Sequence, residues 1–225
     1  MKIRKKFLWV TGGMFLAVLV TVITAVTALV IENSRAARIY NDYSGVYATV
    51  KYIEPVRISN VELVKQEISC GYAVMEMFSN WAGGTVTEES LYGEYGKVVT
   101  STGKSFEKEM NKQFPAFRTT MYSYLSNTEL LDKVYDSLKN GIPVPFEWAA
   151  ENDGAWTLHY SLVTGINVPN DTIVILNPYG YEENISLKEF FDRTSFRAYD
   201  NMPLFLRLAF AFGIFEKNAV FIAER

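Results

Sequence analysis

Two residues in this sequence carry chemistry that no other position can duplicate: Cys70 is the only cysteine and His159 the only histidine among 225 residues. A thiolate is a strong nucleophile and an imidazole titrates near neutral pH, so one such pair is enough for acyl transfer. The same counts exclude an internal disulfide framework and the usual Cys/His zinc clusters. Cys70 lies in Val64-Lys65-Gln66-Glu67-Ile68-Ser69-Cys70-Gly71-Tyr72-Ala73, at the predicted first turn of a helix. Unpaired amides and the helix dipole favour an anion there and lower a thiol pKa. Gly71 leaves room for close approach of a substrate. Position alone does not separate a reactive thiol from a small buried side chain.

His159 opens a predicted strand, where it could take a proton from a thiol if a third residue fixes its ring. Asn177 is the natural candidate, since it ends the second strand of a predicted hairpin and precedes Pro178, which keeps the chain extended. The end of that strand returns beside the start of the first, which makes neighbours of residues 18 positions apart. Taken singly, each has a plainer reading: a histidine at a strand end, and an asparagine opening the turn Asn177-Pro178-Tyr179-Gly180.

The chain order Cys, His, Asn, with the thiol at a helix start and the other two at facing strand ends, is that of papain-like cysteine hydrolases. The segments from Gln66 to Ala73 and from His159 to Tyr179, with His-Tyr-Ser-Leu-Val-Thr-Gly and Ile-Val-Ile-Leu-Asn-Pro, resemble the two signatures of the bacteriocin-processing, C-39 type peptidases. The resemblance covers residues 65–191. It implies Cys70 as nucleophile, His159 as general base and acid, Asn177 as the residue that orients the imidazole, and Gln66 as an oxyanion-hole donor beside the Cys70 amide. Two departures stand out. The family glutamine usually precedes the cysteine by six residues, whereas Gln66 precedes it by four and Val64 holds the six-residue position. The third member is commonly aspartate, which would contribute a charge that Asn177 lacks.

These side chains must be positioned by a helical half followed by a sheet. Helices are predicted over residues 70–81, from Thr87 or Thr85 as cap, over 104–114, and from an Asn127-Thr128-Glu129 cap through the stripe Leu130, Leu131, Val134, Tyr135, Leu138. Residues 43–56 read as an extended entry segment. After Gly141 the period changes: strands are predicted over 142–149, where Pro143 and Pro145 suggest an edge or entrance, over 158–166, 172–177 and 219–223, with a short helix at 186–192. Residues 203–215 are very apolar but contain Arg207, and are expected as a buried helix or strand rather than a second membrane contact. The class is α+β, a papain-like helical layer packed on an antiparallel sheet, preceded by one transmembrane helix.

That helix is legible from composition. Residues 7–31 lack charge, and 25 residues at about 1.5 Å each cover the ~30 Å hydrocarbon core with tilt to spare. The run exceeds the apolar region of a cleaved signal peptide, so an uncleaved anchor is expected, with secretion after cleavage near Ser34, Ala36 and Ala37 as the alternative. Lys2, Arg4, Lys5 and Lys6 hold the amino terminus in the cytoplasm. The expected organisation is a basic segment at 1–6, an anchor at 7–31, a stalk and entry segment at 32–57, and a peptidase domain at 58–225.

The chain has 22 basic and 25 acidic residues, and without the four basic residues before the span the balance is 18 to 25. No basic stripe with interleaved aromatics marks a nucleic-acid partner. No cofactor motif is found: Gly83-Gly84 and Gly93-Glu94-Tyr95-Gly96 lack the spacing of a phosphate loop. Trp148, Glu147, Glu151, Asp153 and Trp156 near the histidine strand are read as structural, and the pairs Glu88-Glu89 and Glu182-Glu183 as helix-start and turn residues. The reading is a membrane-anchored extracytoplasmic cysteine peptidase or amide hydrolase acting on a peptide, protein or cell-wall peptide. The alternatives are an inactive peptidase-like binding module and a cell-wall amidase. Leader-processing relatives work in the cytoplasm fused to a transporter, so that role is not carried over.

Overall fold

The computed structural model describes residues 2–96 and 102–225. The side chains of the basic segment at its start lie outside the described residues. The charge-free run belongs to one continuous helix, α1 (Lys2–Ile39). Within it the hydroxyls of Thr21 and Thr24 donate to the carbonyls of Ala17 and Val20, which satisfies both without water. The described part of α1 is long and apolar enough to cross a membrane.

Residues 43–56 are not extended. They form 3-10 turns at Ser44–Ala48 and Val50–Tyr52, and only then β1 (Val56–Arg57). The Asp42 carboxylate accepts from the Ser44 amide at 2.9 Å and so starts a turn, while Tyr52 packs edge-on against Tyr135. The period-two pattern of Val46, Ala48 and Val50 carries no sheet face, because Val50 is exposed.

The helices follow their capping signals. α2 (Cys70–Ala82) stops at Gly83, whose φ of 75° is the left-handed conformation of a helix C-cap. Capping boxes open α3 (Glu88–Tyr95) at Thr87 and α4 (Gly103–Gln113) at Thr102. After β2 (Arg118–Tyr122), α5 (Asn127–Lys139) is capped by Ser126, one residue before the expected position, because Ser126 and Glu129 form the reciprocal pair.

The sheet is completed by β3 (Val144–Asn152), β4 (Ala155–Asn167), β5 (Thr172–Asn177), β6 (Tyr181–Ile185) and, after α6 (Leu187–Thr194) and α7 (Leu204–Ala211), β7 (Ala219–Glu224). All pairings are antiparallel in the order β2-β7-β3-β4-β5-β6, with β1 beside β4. The α+β expectation holds, with helices on both faces of the sheet. Phe146, Trp148 and Val163 face α5 and α6, whereas Tyr160, Leu162 and Phe221 face α2 and α4. β3 is interior rather than an edge; its ladder to β7 begins at Phe146, just past Pro145, so the missing proline N–H costs no pair there. β2 and β6 carry too many polar residues to have been read as strands.

Residues 203–215 depart furthest from expectation. They form α7 and a following turn, and of the large apolar residues in them only Phe210 is fully buried. Leu204, Phe205, Phe212 and Ile214 are exposed, so the expected buried helix is not found.

Candidate active site

Cys70 is the first residue of α2, and the loop that delivers it is held by one carboxylate. Glu88, at the start of α3, accepts from the backbone amides of Glu67 at 2.9 Å, Ile68 at 2.8 Å and Ser69 at 2.5 Å. Its own amide donates to Glu76 of α2 at 2.6 Å. Three amides that precede a helix would otherwise lack partners, and Glu88 supplies all three from a buried position. The same loop is tied to the sheet, since the Gln66 amide donates to the Pro178 carbonyl at 2.7 Å. The stretch before Cys70 and the stretch after Asn177 are therefore joined through backbone.

On the sheet, the β4–β5 ladder ends at Leu162 opposite Leu176, while β4 runs on to Ala155. Past that point β4 has a flank that β5 does not cover. The amide of Tyr160 in this stretch, the residue after His159, is near enough to the Cys70 sulfur to favour its thiolate.

His159 is buried, with Nε2 2.9 Å from Asn177 Oδ1. The orientation of the Asn177 amide is fixed twice. Its oxygen also receives the Tyr179 amide at 2.9 Å, and its nitrogen donates to Glu183 Oε1 at 2.5 Å. Oxygen therefore faces the imidazole, Nε2 carries the proton, and Nδ1 keeps the lone pair in the neutral ring. Behind Asn177, Glu183 receives Arg193 Nη1 at 2.7 Å; Arg193 lies 3.5 Å over the Trp148 ring and donates from Nε to the Ala149 carbonyl at 2.9 Å. Glu183 pairs with Ile175 across β5 and β6, which makes it a diagonal neighbour of Asn177 on one face. The Tyr179 ring stacks on His159 with centroids 4.1 Å apart and is bonded through its hydroxyl to Thr157.

The electrostatics differ from what a helix start alone implies. Burial pushes the Cys70 thiol up to about 11, against the amides of Tyr160, Gly71 and Cys70 itself, which favour the thiolate, while Glu147 adds to the rise. Burial pushes His159 down to about 4, opposed by its bond to Asn177 and reinforced by the Arg193 charge. The resting pair is thus a neutral thiol and a neutral imidazole at pH 7. Glu147, on the α2 face of β3, is fully enclosed and rises to about 8, first through burial and then through Glu216. Its Oε2 and the hydroxyl of Tyr160, its cross-strand partner, have no hydrogen-bond partner.

The structure thus brings His159 and Asn177 into contact and sets Cys70 against the adjoining backbone. Gln66 lies in the loop before Cys70, with its side-chain oxygen buried and unpartnered. Trp148 is core, bonded to Ser161, and Trp156 stacks on Tyr199. Glu88, Tyr179, Glu183 and Arg193 belong to the site although the sequence alone does not mark them. Their signal was weak, because a glutamate pair looks alike in a helix start, a turn or a hydrogen-bond relay. Among the described residues no group of three or more His, Cys, Asp or Glu could hold a metal ion.

Comparison with known proteins adds a family match. Residues 58–202 match the model of the Peptidase_C39 like family. Among solved structures, that of a double glycine motif protease from an AMS/PCAT transporter, in complex with the leader peptide, aligns with a TM-score of 0.49 at 16% identity, covering 76% of this chain and 97% of that one. Comparison with curated proteins finds no match.

Proposed function

The chain belongs to the Peptidase_C39 like family and is by that membership a cysteine-type peptidase, and from this premise we propose that it hydrolyses a peptide or amide bond with Cys70, His159 and Asn177 as its triad. The observation that carries the reading is the His159–Asn177 bond, in which a twice-fixed amide oxygen leaves Nδ1 as the basic nitrogen. Because thiol and imidazole are both neutral at rest, proton transfer accompanies attack. Nδ1 takes the thiol proton as sulfur bonds to the scissile carbonyl carbon. The oxyanion is received by the Cys70 amide at the start of α2 and by the side-chain amide of Gln66. The imidazolium then protonates the leaving nitrogen as the C–N bond breaks. Water, deprotonated by His159, hydrolyses the thioester and restores the thiol.

The substrate is a peptide or protein, with cell-wall peptides the class suited to a domain outside the cell. α1 acts as a single-pass anchor over residues 7–31, with its amino terminus cytoplasmic; residues 32–57 form the stalk and entry, and 58–225 the peptidase domain. Processing of α1 as a signal sequence would give the same domain in secreted form.

The test is alkylation of Cys70 by iodoacetamide at pH 7 in the intact chain, in His159→Ala and in Asn177→Ala. A working base predicts at least a tenfold slower reaction in His159→Ala, within the range general-base removal produces, and an intermediate rate in Asn177→Ala. Equal rates in all three would sink the triad and leave a binding module on a peptidase scaffold. Release of peptides from purified peptidoglycan without cleavage of unfolded protein would assign the amidase.

A further inference from the structure

α7 and the turn behind it present large apolar side chains to the outside: Leu204 is 62% exposed, Phe205 68%, Phe212 54% and Ile214 51%. Such a patch on a soluble face would invite aggregation. Its place in the fold supplies the explanation. α7 packs against α1. Along α1 every residue from 13 to 24 is exposed, whereas Ala25, Ala28 and Leu29 are partly covered, and Glu32 is buried in an ion pair with Lys217 at 3.1 Å. The domain therefore meets α1 from Ala25 onward, inside the charge-free run that ends at Ile31. Six residues of helix are roughly 9 Å, so the covering element lies within about that distance of the end of the run.

A hydrocarbon core needs about 20 residues of helix, and counting from Phe7 that reaches Val26. The contact with α7 thus falls at the outer boundary of the bilayer. Helices lying in that boundary sink an apolar face about 5–10 Å into it and keep charges on long stems toward the headgroups, a place open to Arg207, the one charged residue in 203–215. We propose that Leu204, Phe205, Phe212 and Ile214 form a second membrane contact, lying in the outer interface of the same bilayer that α1 crosses. The inference rests on the reading of α1 as a membrane span. The occupant is lipid rather than a second protein because α1 holds the patch at the bilayer surface in every molecule, without an encounter. The contact also fixes the domain's tilt, so the site faces one direction relative to the membrane.

The test uses full-length protein in phosphatidylcholine vesicles, with Cys70→Ser removing the native thiol and a single new cysteine carrying an environment-sensitive fluorophore. Labels at Phe205→Cys and Ile214→Cys are compared with Val18→Cys, within the span, and Val50→Cys, 80% exposed and outside it. The expected result is quenching of 205 and 214 by lipids spin-labelled high on the chain, of 18 by lipids labelled deep, and of 50 by neither. If 18 is quenched while 205 and 214 behave like 50, the second contact is overturned and the span stands. An unquenched 18 overturns both. A shielded 205 that no lipid quenches, and that depends on protein density in the vesicle, assigns the patch to a second copy and overturns the lipid contact.

Discussion

Asn177 has no charge of its own, yet its amide is bonded to one. Glu183 sits directly behind its nitrogen, and Arg193 fixes the far oxygen of that carboxylate. The negative charge that an aspartate would place against the imidazole is thus set one residue further out, where it is expected to polarise the asparagine amide and support the basicity of His159. Glu183→Gln keeps the shape and removes the charge. The expected outcome is slower Cys70 alkylation at pH 7, by up to about tenfold for each unit that the imidazole pKa falls, with thermal stability measured alongside to separate loss of charge from loss of fold. Because the chain has one histidine, 15N NMR of the labelled protein reads its tautomer directly, and the Nε2–H form should persist in the intact chain. The triad residues were legible in the sequence through type, uniqueness and order. Glu183 was not, because a diagonal contact between β5 and β6 exists only once the register of both strands is known.

Among the elements, α3 shows what the helical segment between the two motifs does. Its first residue, Glu88, closes the backbone of the loop before Cys70, so the helix acts as a clamp on the nucleophile. Glu88→Ala leaves three amides without their acceptor. At roughly 1–3 kcal/mol for a buried group left unsatisfied, partly relieved by water, a total loss of about 2–4 kcal/mol is expected by denaturant melt. Cys70 reactivity should fall with it, whereas Glu89→Ala, on an exposed neighbour, should change neither. Most elements followed from local signals, since capping boxes, Gly83 and the period of each stripe act within a few residues. The exceptions share a cause. The 3-10 turns after α1, the interior position of β3 and the exposure of α7 each depend on what lies across the fold, which local pattern does not encode.

At the scale of the whole molecule, two buried groups set opposing pH dependences. His159 is held at about 4 in the fold against an ordinary 6.5, so the unfolded chain takes up its proton first and stability falls as pH drops from about 6.5 toward 4. Glu147 is held at about 8 against 4.5, so the unfolded chain loses its proton first and stability falls as pH rises from about 4.5 toward 8. Between about 4.5 and 6.5 the two slopes offset one another, and above 6.5 only the Glu147 decline remains. Thermal melts across pH should therefore show a maximum on the acid side of neutrality. Glu147→Gln should flatten the alkaline decline and stabilise the protein at pH 8, relative to its effect below pH 4.5, by on the order of 4 kcal/mol. An unchanged alkaline limb in that variant would assign the decline elsewhere.

What the sequence determined by itself was whatever depends on residue type and short spacing: one thiol and one imidazole, a charge-free run of bilayer length, the helix starts, the hairpin that returns Asn177 to His159, and the resemblance borne by the two motifs. Tertiary structure alone decided the state of the reactive pair and the fate of the apolar stretch 203–215. A helix start favours a thiolate, but a pKa is set by everything that replaces water around the sulfur, and burial against the sheet outweighed the amides. An apolar helix buries itself only where a partner face is free, and α7 met the base of α1 instead of the core. Both outcomes turn on desolvation, a property of the space around a residue that its neighbours in the chain do not specify.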